Sequence, residues 1–219
     1  MPDAIGIIMD GNRRYAKALG LSSLEGHQRG YEKLKELAGW TQEAGVRELT
    51  VYAFSTENWN RSEEEVSYLL KLLEHAISTG LEDIEQNGWH IRFIGQRERF
   101  SPGFRQKMRS VEERTRGNDG GTLVIALSYG GRAEILDALK RIDGEVTEES
   151  LRSAMWSRDL LDPDLIIRTG GEMRLSNFLM WQSAYSELFF TKTLWPDFSK
   201  EEFVSILREY ESRERRMGK

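Results

Sequence analysis

Hydrophobic and polar positions alternate between two patterns along this 219-residue chain. Short apolar runs of strand character stand at Ala4–Met9, Glu48–Phe54, His90–Ile94, Thr122–Leu127, Leu165–Ile167 and Glu187–Phe190. Between them lie stretches with apolar residues at helical spacing, among them Tyr31–Ala44, Glu63–Gln86 and Ala133–Arg141. Strand alternating with helix predicts an α/β fold with a central, mostly parallel six-stranded sheet flanked by helices. No internal repeat, low-complexity linker or Pro-rich hinge interrupts the chain, so a single domain over residues 1–219 is expected. Glu63–Gln86 carries Val66, Leu69, Leu70, Leu72, Leu73, Ala76, Ile77, Leu81 and Ile84, a wider apolar surface than one stripe needs. It reads first as a core helix and second as the wall of an apolar tunnel.

Ligands of open parallel sheets bind beyond the carboxyl ends of the strands. After the first run comes Asp10-Gly11-Asn12-Arg13-Arg14, after the second Ser55-Thr56-Glu57-Asn58-Trp59-Asn60-Arg61, and after the third Gly95-Gln96-Arg97. The fourth is followed by Ser128-Tyr129-Gly130-Gly131-Arg132, and the fifth by Arg168-Thr169-Gly170-Gly171-Glu172-Met173-Arg174-Leu175-Ser176-Asn177. Arginines, small hydroxyls and glycines thus gather on one edge of the sheet, which turns a set of ordinary turns into a candidate anion site. Asp10 ends a strand just before the helical Ala16-Lys17-Ala18-Leu19 and beside two guanidiniums, an arrangement suited to a polyanion with a magnesium ion. Arg168, Arg174 and Ser176 flank a Gly-Gly pair that lets backbone and guanidinium approach one phosphate group. Arg14 and Arg61 can converge from two other loops. Asp10 together with Glu187 would suffice for magnesium. Each of these also has a plainer reading. Glu187 is then a solvent-facing residue near Tyr185, His27 a helix-start histidine, and Ser55 and Asn58 ordinary loop polars.

Composition removes whole classes of function. The formal charge of -5, from 31 basic and 36 acidic residues, provides no global field for nucleic acid, so the arginines act locally. With no cysteine there is no disulfide framework, thiolate chemistry or zinc-thiolate site. No signal-peptide pattern is visible and no apolar run approaches the ~18 residues of a membrane span, so a soluble cytoplasmic protein is expected. Neither G-x-x-x-x-G-K-[ST] nor a strand-borne G-x-G-x-x-G is present, and the Asp-rich pair of the all-helical prenyl synthases is missing. A nucleotide-free diphosphate site remains.

At this point the motifs resemble a known family. Met9-Asp10-Gly11-Asn12-Arg13-Arg14-Tyr15-Ala16, His27-x-x-Gly30, Tyr52-Ala53-Phe54-Ser55-Thr56-Glu57-Asn58-Trp59-x-Arg61 and Ile167-Arg168-Thr169-Gly170-Gly171-Glu172-x-Arg174-x-Ser176-Asn177-Phe178 are similar to those of the cis-prenyltransferases, typified by undecaprenyl diphosphate synthase. Leu127–Arg132, Tyr185-x-Glu187-Leu188-x-Phe190 and Leu194-Trp195-Pro196-Asp197-Phe198 extend the likeness, in order, from about Ile5 to Gly218.

The resemblance implies magnesium-dependent, repeated condensation of isopentenyl diphosphate onto an allylic diphosphate such as farnesyl or geranylgeranyl diphosphate. Each new double bond is cis, and the product is a long polyprenyl diphosphate such as undecaprenyl diphosphate. Carried over by position, Asp10 engages the allylic diphosphate and Mg2+, while Gly11, Asn12, Arg13, Arg14 and Tyr15 cradle that diphosphate with help from His27. Ser55 and Asn58 serve the condensation, Asn58 as proton acceptor. Arg61, Arg168, Arg174 and Ser176 hold isopentenyl diphosphate, Thr56, Glu57, Trp59 and Leu175 count among the substrate-binding residues, and Glu187 completes the metal site. An apolar tunnel walled by Glu63–Gln86 and Ala53-Phe54 takes the growing chain. Arg216-x-Gly218 matches an ending that crosses a homodimer interface in the family. A transient contact with a membrane, at a peripheral cytoplasmic location, is expected for product release.

Two departures stand out. Bacterial members commonly have Gly-Asn-Gly-Arg-Trp where this chain has Gly11-Asn12-Arg13-Arg14-Tyr15, a form closer to archaeal and eukaryotic members. Many members also carry an arginine where this chain has Ser23, a role that Arg13 is placed to assume. Two competing functions rank lower. A non-catalytic partner subunit would not need Asp10, Asn58, Arg168, Arg174 and Glu187 together. A hydrolase using Asp10 as nucleophile would want another acidic residue close behind it, and Gly11-Asn12-Arg13 offers none.

Overall fold

The computed structural model describes residues 1–213, apart from the side chains at 79 and 80. The apolar runs become β1 (Ala4–Ile8), β2 (Glu48–Ser55), β3 (His90–Ile94), β4 (Thr122–Tyr129), β5 (Leu165–Arg168) and β6 (Glu187–Phe190). They form one sheet in the order β3-β4-β2-β1-β5-β6, every pair parallel. All residues of β1 and β5 are buried, because helices cover both faces, and this is why these strands read as continuous apolar runs.

The helices are α1 (Asn12–Ala18), α2 (Ser23–Glu43), α3 (Glu63–His75), α4 (Glu82–Gln86), α5 (Pro102–Thr115), α6 (Gly131–Leu139), α7 (Glu148–Ala154) and α8 (Lys200–Ser212). On one side of the sheet Ile5, Ile7, Leu49, Val51 and Ile167 pack with Leu37, Trp89, Trp195 and Phe203. On the other, Ile8, Val124, Ala126 and Ile166 pack with Phe178 and Leu179. Fully burying one such side chain contributes roughly 1.5–3 kcal/mol.

α6 is shifted by two residues from the expected Ala133–Arg141, and two other helical stretches differ more from their predicted extents. α2 begins at Ser23, eight residues before the predicted Tyr31, since Ser22 accepts the Glu25 N–H while the Glu25 carboxylate takes the Ser22 N–H. Its first turns are not apolar because they press on α1 through glycines. A Cβ on Gly26 would lie 2.3 Å from the Asn12 carbonyl oxygen, and one on Gly30 would lie 2.2 Å from Asn12 Oδ1. The long segment Glu63–Gln86 is not one helix. A π turn at Ala76–Gly80 separates α3 from α4, and the extra residue rotates the buried face. That rotation accounts for the breadth of the apolar surface.

The chain leaves β1 for β2 on one side and later returns to β5 on the other. The carboxyl end of β1 is therefore a switch point, where a crevice opens between diverging connections. Asp10 stands there. Gly11, which follows it, has φ +115, and a Cβ would meet Leu194 Cδ2 at 2.9 Å, so both conformation and space demand glycine.

Candidate active site

A pocket of about 280 Å³ opens over this switch point. It is lined by Ile8, Met9, Asp10, Asn12, His27, Tyr52, Ala53, Ser55, Asn58, Arg61, Leu69, Arg168 and Ser176. Eight residues singled out from sequence thus converge: Asp10, Asn12, His27, Ser55, Asn58, Arg61, Arg168 and Ser176.

Arg168 is the hub. It is the last residue of β5 and is 5% exposed. One Nη donates to Asp10 Oδ2 at 3.0 Å, the other to Ser176 Oγ at 2.7 Å and to the Arg174 carbonyl. Asp10 Oδ1 lies 3.2 Å from Arg14 Nη2, and Arg14 also donates to the Gly170 carbonyl at 2.6 Å. The Asp10 carboxylate is therefore clamped between two guanidiniums. Arg168 reaches it from the end of β5 and Arg14 from the first turn of α1, and the Gly170 carbonyl that accepts Arg14 lies in a Gly-Gly turn at φ +85 and +81.

A second group borders the pocket, centred on Glu65 of α3 in a neighbouring hollow. Glu65 Oε1 takes Arg61 Nη1 at 2.7 Å and Arg13 Nη1 at 3.3 Å. His27 lies beside them with its Nε2 buried and without a hydrogen-bond partner. Burial, then the Arg61 charge, pushes the His27 imidazole down to about 4, so it is neutral at physiological pH. Arg13 and Ser23 line the same neighbouring hollow with His27, Leu24 and Tyr68, so Arg13 does occupy the region of the missing arginine. The Ser55 N–H donates to Asn58 Oδ1 at 2.9 Å, which fixes the Asn58 side chain on its short 3-10 turn at Thr56–Asn60.

Other residues named from sequence stand apart from the pocket. Tyr15, half-buried on α1, and Thr56 do not line it. Trp59 turns into the core: its indole N–H donates to Ser128 Oγ at 2.8 Å, and its ring lies 5.1 Å from Phe54 and 4.4 Å from the Arg99 guanidinium. Glu57 bonds Asn177, Leu175 packs on the second core cluster, and the exposed Arg174 pairs with Glu172. Arg216 and Gly218 lie outside the described residues.

The pairing of Asp10 with Glu187 fails within one chain. Glu187 begins β6 opposite Leu165, three residues before the row that carries Arg168, about 10 Å down the strands. Its carboxylate takes Arg213 Nη1 at 2.6 Å. Strand register, which the motif does not reveal, puts the two carboxylates at opposite ends of the sheet.

Beneath the pocket an apolar cavity of about 90 Å³ runs between the sheet and helices α2 and α3. Met9, Ala53, Leu34, Leu69, Leu72, Leu73, Ala76 and Trp195 line it, with the Tyr31 hydroxyl buried and without a hydrogen-bond partner. The cavity lies where Ala53 and the α3 residues Leu69, Leu72 and Leu73 are expected to wall a tunnel. Phe54, expected as a wall, instead packs into the core.

Several contributors carry no signal that singles them out. Tyr52 donates its hydroxyl to the Tyr129 carbonyl at 3.1 Å, and its ring stacks on Phe178 at 4.7 Å. Burial holds this phenol well above its usual range, so it stays a donor. Glu65 is marked only by its i+4 spacing from Arg61 on a helix start. Asn177 sits inside a motif without announcing a role.

The sequence matches the family model of undecaprenyl diphosphate synthase over residues 8–218. It is 47% identical to the isoprenyl transferase of Thermotoga maritima, covering 100% of this chain and 97% of that one. It is 46% identical to the tritrans,polycis-undecaprenyl-diphosphate synthase (geranylgeranyl-diphosphate specific) of Thermoplasma acidophilum, over 100% of this chain and 89% of that one. Among solved structures, lavandulyl diphosphate synthase from Lavandula x intermedia, in complex with dimethylallyl diphosphate, superposes with a TM-score of 0.91. That protein is 30% identical, and the match covers 100% of this chain and 98% of it.

Proposed function

This chain belongs to the undecaprenyl diphosphate synthase family of prenyltransferases, and from that membership we propose that it adds isopentenyl diphosphate repeatedly to an allylic diphosphate, with cis double bonds, to make a polyprenyl diphosphate. One observation carries the reading. Asp10 is clamped by Arg14 and Arg168 in a pocket that also collects Arg61, Ser176, Asn58 and His27, directly above an apolar cavity. Polar head and greasy tail thus have adjoining places.

Arg168, Ser176 and Arg61 hold the diphosphate of isopentenyl diphosphate, while Asp10, Asn12, Arg14 and His27 surround that of the allylic substrate. As the allylic C–O bond breaks, the guanidiniums neutralise the departing diphosphate. The isopentenyl double bond supplies the electrons for the new C–C bond. A proton then leaves the isopentenyl C2 toward the Asn58–Ser55 loop, restoring a double bond. Magnesium fits this site as an ion shared with substrate. It commonly takes one or two carboxylates plus phosphate oxygens, and Asp10 presents one carboxylate at the pocket mouth. Held by Asp10 and a diphosphate, it would add charge neutralisation to the leaving group.

A homodimer is part of the proposal. β6 is an edge strand with Leu188 exposed, and Tyr185 beside it is 76% exposed. A second copy against this edge would cover both, and light scattering on purified protein would read the mass. No helix among the described residues is long and apolar enough to cross a membrane. Delivery of a lipid product would then proceed through peripheral contact from the cytoplasm.

The test is incubation with labelled isopentenyl diphosphate and either farnesyl or geranylgeranyl diphosphate, with and without a magnesium chelator. A polyprenyl ladder that the chelator abolishes supports the proposal, and the better primer is named by the same experiment. Folded protein giving no product with either primer points instead to a non-catalytic partner subunit.

A further inference from the structure

Among the described residues, the non-glycine residues with left-handed backbone are Ser128, Ser176, Asn177 and Leu179, at φ 48, 49, 68 and 43. Ser128 is the penultimate residue of β4, and the other three lie in the loop after β5, where it meets the loop after β4. Such backbone is unfavourable for a residue with a Cβ, and three within four residues mark a place where surrounding structure imposes a shape.

Asn177 lies at the centre of that contact. Its Oδ1 accepts the Arg132 N–H at 2.9 Å, and its carbonyl accepts the Gly131 N–H at 2.7 Å. Its Nδ2 donates to Glu57 Oε1 at 2.9 Å. A backbone donor on one side and a carboxylate on the other leave only one orientation for the amide. The approach is as close as backbone permits: a Cβ on Gly130 would lie 2.6 Å from Asn177 Nδ2 and 2.5 Å from Thr56 Oγ1. Below, the fully buried Glu134 ties both flanks together, accepting the Tyr129 hydroxyl at 2.5 Å and the Gln182 amide at 2.9 Å.

The consequence reaches the pocket through both neighbours. Ser176, adjacent to Asn177, aims its Oγ at Arg168. Glu57, adjacent to Asn58, sits on the short turn that presents Asn58 and Ser55. Asn177 itself does not line that pocket; it borders a shallow surface hollow with Glu57, Arg132 and Met180.

We propose that Asn177 is a positioning residue: one side chain clasps the Asn58 turn to the Ser176 loop and so sets the spacing between the groups that receive isopentenyl diphosphate. The proposal rests on the function given above. It concerns this substrate and not the allylic one, because Asp10 stands just beyond β1, Arg14 on α1 and His27 on α2, none of which Asn177 bonds.

The Glu57 carboxyl supports the design of the test. Burial raises it, yet donation from Asn177 and from the local backbone and hydroxyls holds it below its ordinary value, so it is ionised at neutral pH. Asn177→Asp keeps the shape and the Arg132 contact but sets a carboxylate against Glu57. Adding Glu57→Gln restores the hydrogen bond with donor and acceptor exchanged. The comparison comprises wild type, N177D, E57Q and N177D/E57Q, with KM for each substrate, kcat and the thermal midpoint.

The expected result is a rise of about tenfold or more in the isopentenyl diphosphate KM of N177D, as for loss of a positioned charge contact. The allylic KM should stay within about twofold, and the double variant should recover most of the loss. A residue that only supports the fold would move both KM values with the thermal midpoint, and the double variant would be no better than N177D; that pattern overturns the proposal. Absence of product from wild type would instead contradict the function reading. The same four proteins would then be titrated with inorganic pyrophosphate by calorimetry, where the double variant must bind more tightly than N177D for the clasp to stand.

Discussion

The two ends of the same sheet solve opposite problems. At the amino-terminal edge, polar groups close on one another. Glu48 Oε1 accepts the Leu161 N–H at 3.1 Å, Asp164 accepts the N–H groups of Asp3 and Ala4 at 2.7 and 3.2 Å, and Glu187 pairs with Arg213. Each of these carboxylates fastens a loop or terminus. At the carboxyl-terminal edge, bonds are equally numerous but leave a remainder. Asn12 Oδ1, His27 Nε2 and Arg168 Nε are buried without hydrogen-bond partners, half of the six such atoms among the described residues. Buried polar atoms are ordinarily paired, so orphans gathered in one pocket mark where a ligand supplies the missing partners.

The largest effect that separates the two edges is catalytic. Asp10→Ala should lower prenyl transfer by about 1,000-fold, within the range for removing a group that stabilises developing charge. Glu48→Gln, at the other edge, should leave turnover within about twofold. Next comes Arg168→Lys. One guanidinium holds Asp10, Ser176 and the Arg174 carbonyl together, which an ammonium cannot imitate, so kcat/KM for isopentenyl diphosphate should fall about 100-fold. A loss in N177D that matched its thermal midpoint would erase the distinction between a site and its scaffold.

A smaller effect sets the edges against each other in pH. His27 is held down to about 4, chiefly by burial. Between there and about 6.5 the unfolded chain carries a proton that the folded one lacks, so acid weakens the fold. Glu48 is pushed up to about 7, again by burial. Between about 4.5 and 7 the folded chain keeps a proton that the unfolded one has lost, so acid strengthens the fold. Each amounts to about 3 kcal/mol at full extent, and the two largely cancel. Denaturant unfolding of His27→Gln should therefore show stability rising from pH 7 to pH 5, and Glu48→Gln should show it falling. Parallel slopes would contradict the contrast. The smallest expected change is in product length: Ala76→Leu narrows the 90 Å³ cavity and should shorten the prenyl ladder without altering the first addition.

How much was legible follows from where the information resides. The strands were clear because burial on both faces writes itself as unbroken apolar runs such as Ile5–Met9. The carboxyl-edge loops followed from parallel topology alone. The start of α2 was hidden, because its inner face is glycine, chosen for contact with Asn12 rather than for hydrophobicity. Glu187 was misplaced beside Asp10 because a motif records proximity in sequence, whereas strand register decides which end of the sheet a residue occupies. Trp59 and Asn177 stand within motifs, but only the packing distinguishes an indole turned into the core from an amide that joins two loops.

The most direct measurement is calorimetric titration of inorganic pyrophosphate, with magnesium, into wild type, Arg168→Ala and Glu48→Gln. Wild type and the Glu48 variant should bind alike, and the Arg168 variant should bind at least about tenfold more weakly, since the proposed function seats the diphosphates at the carboxyl edge. Undiminished binding after loss of Arg168, or weakened binding after loss of Glu48, would contradict that placement.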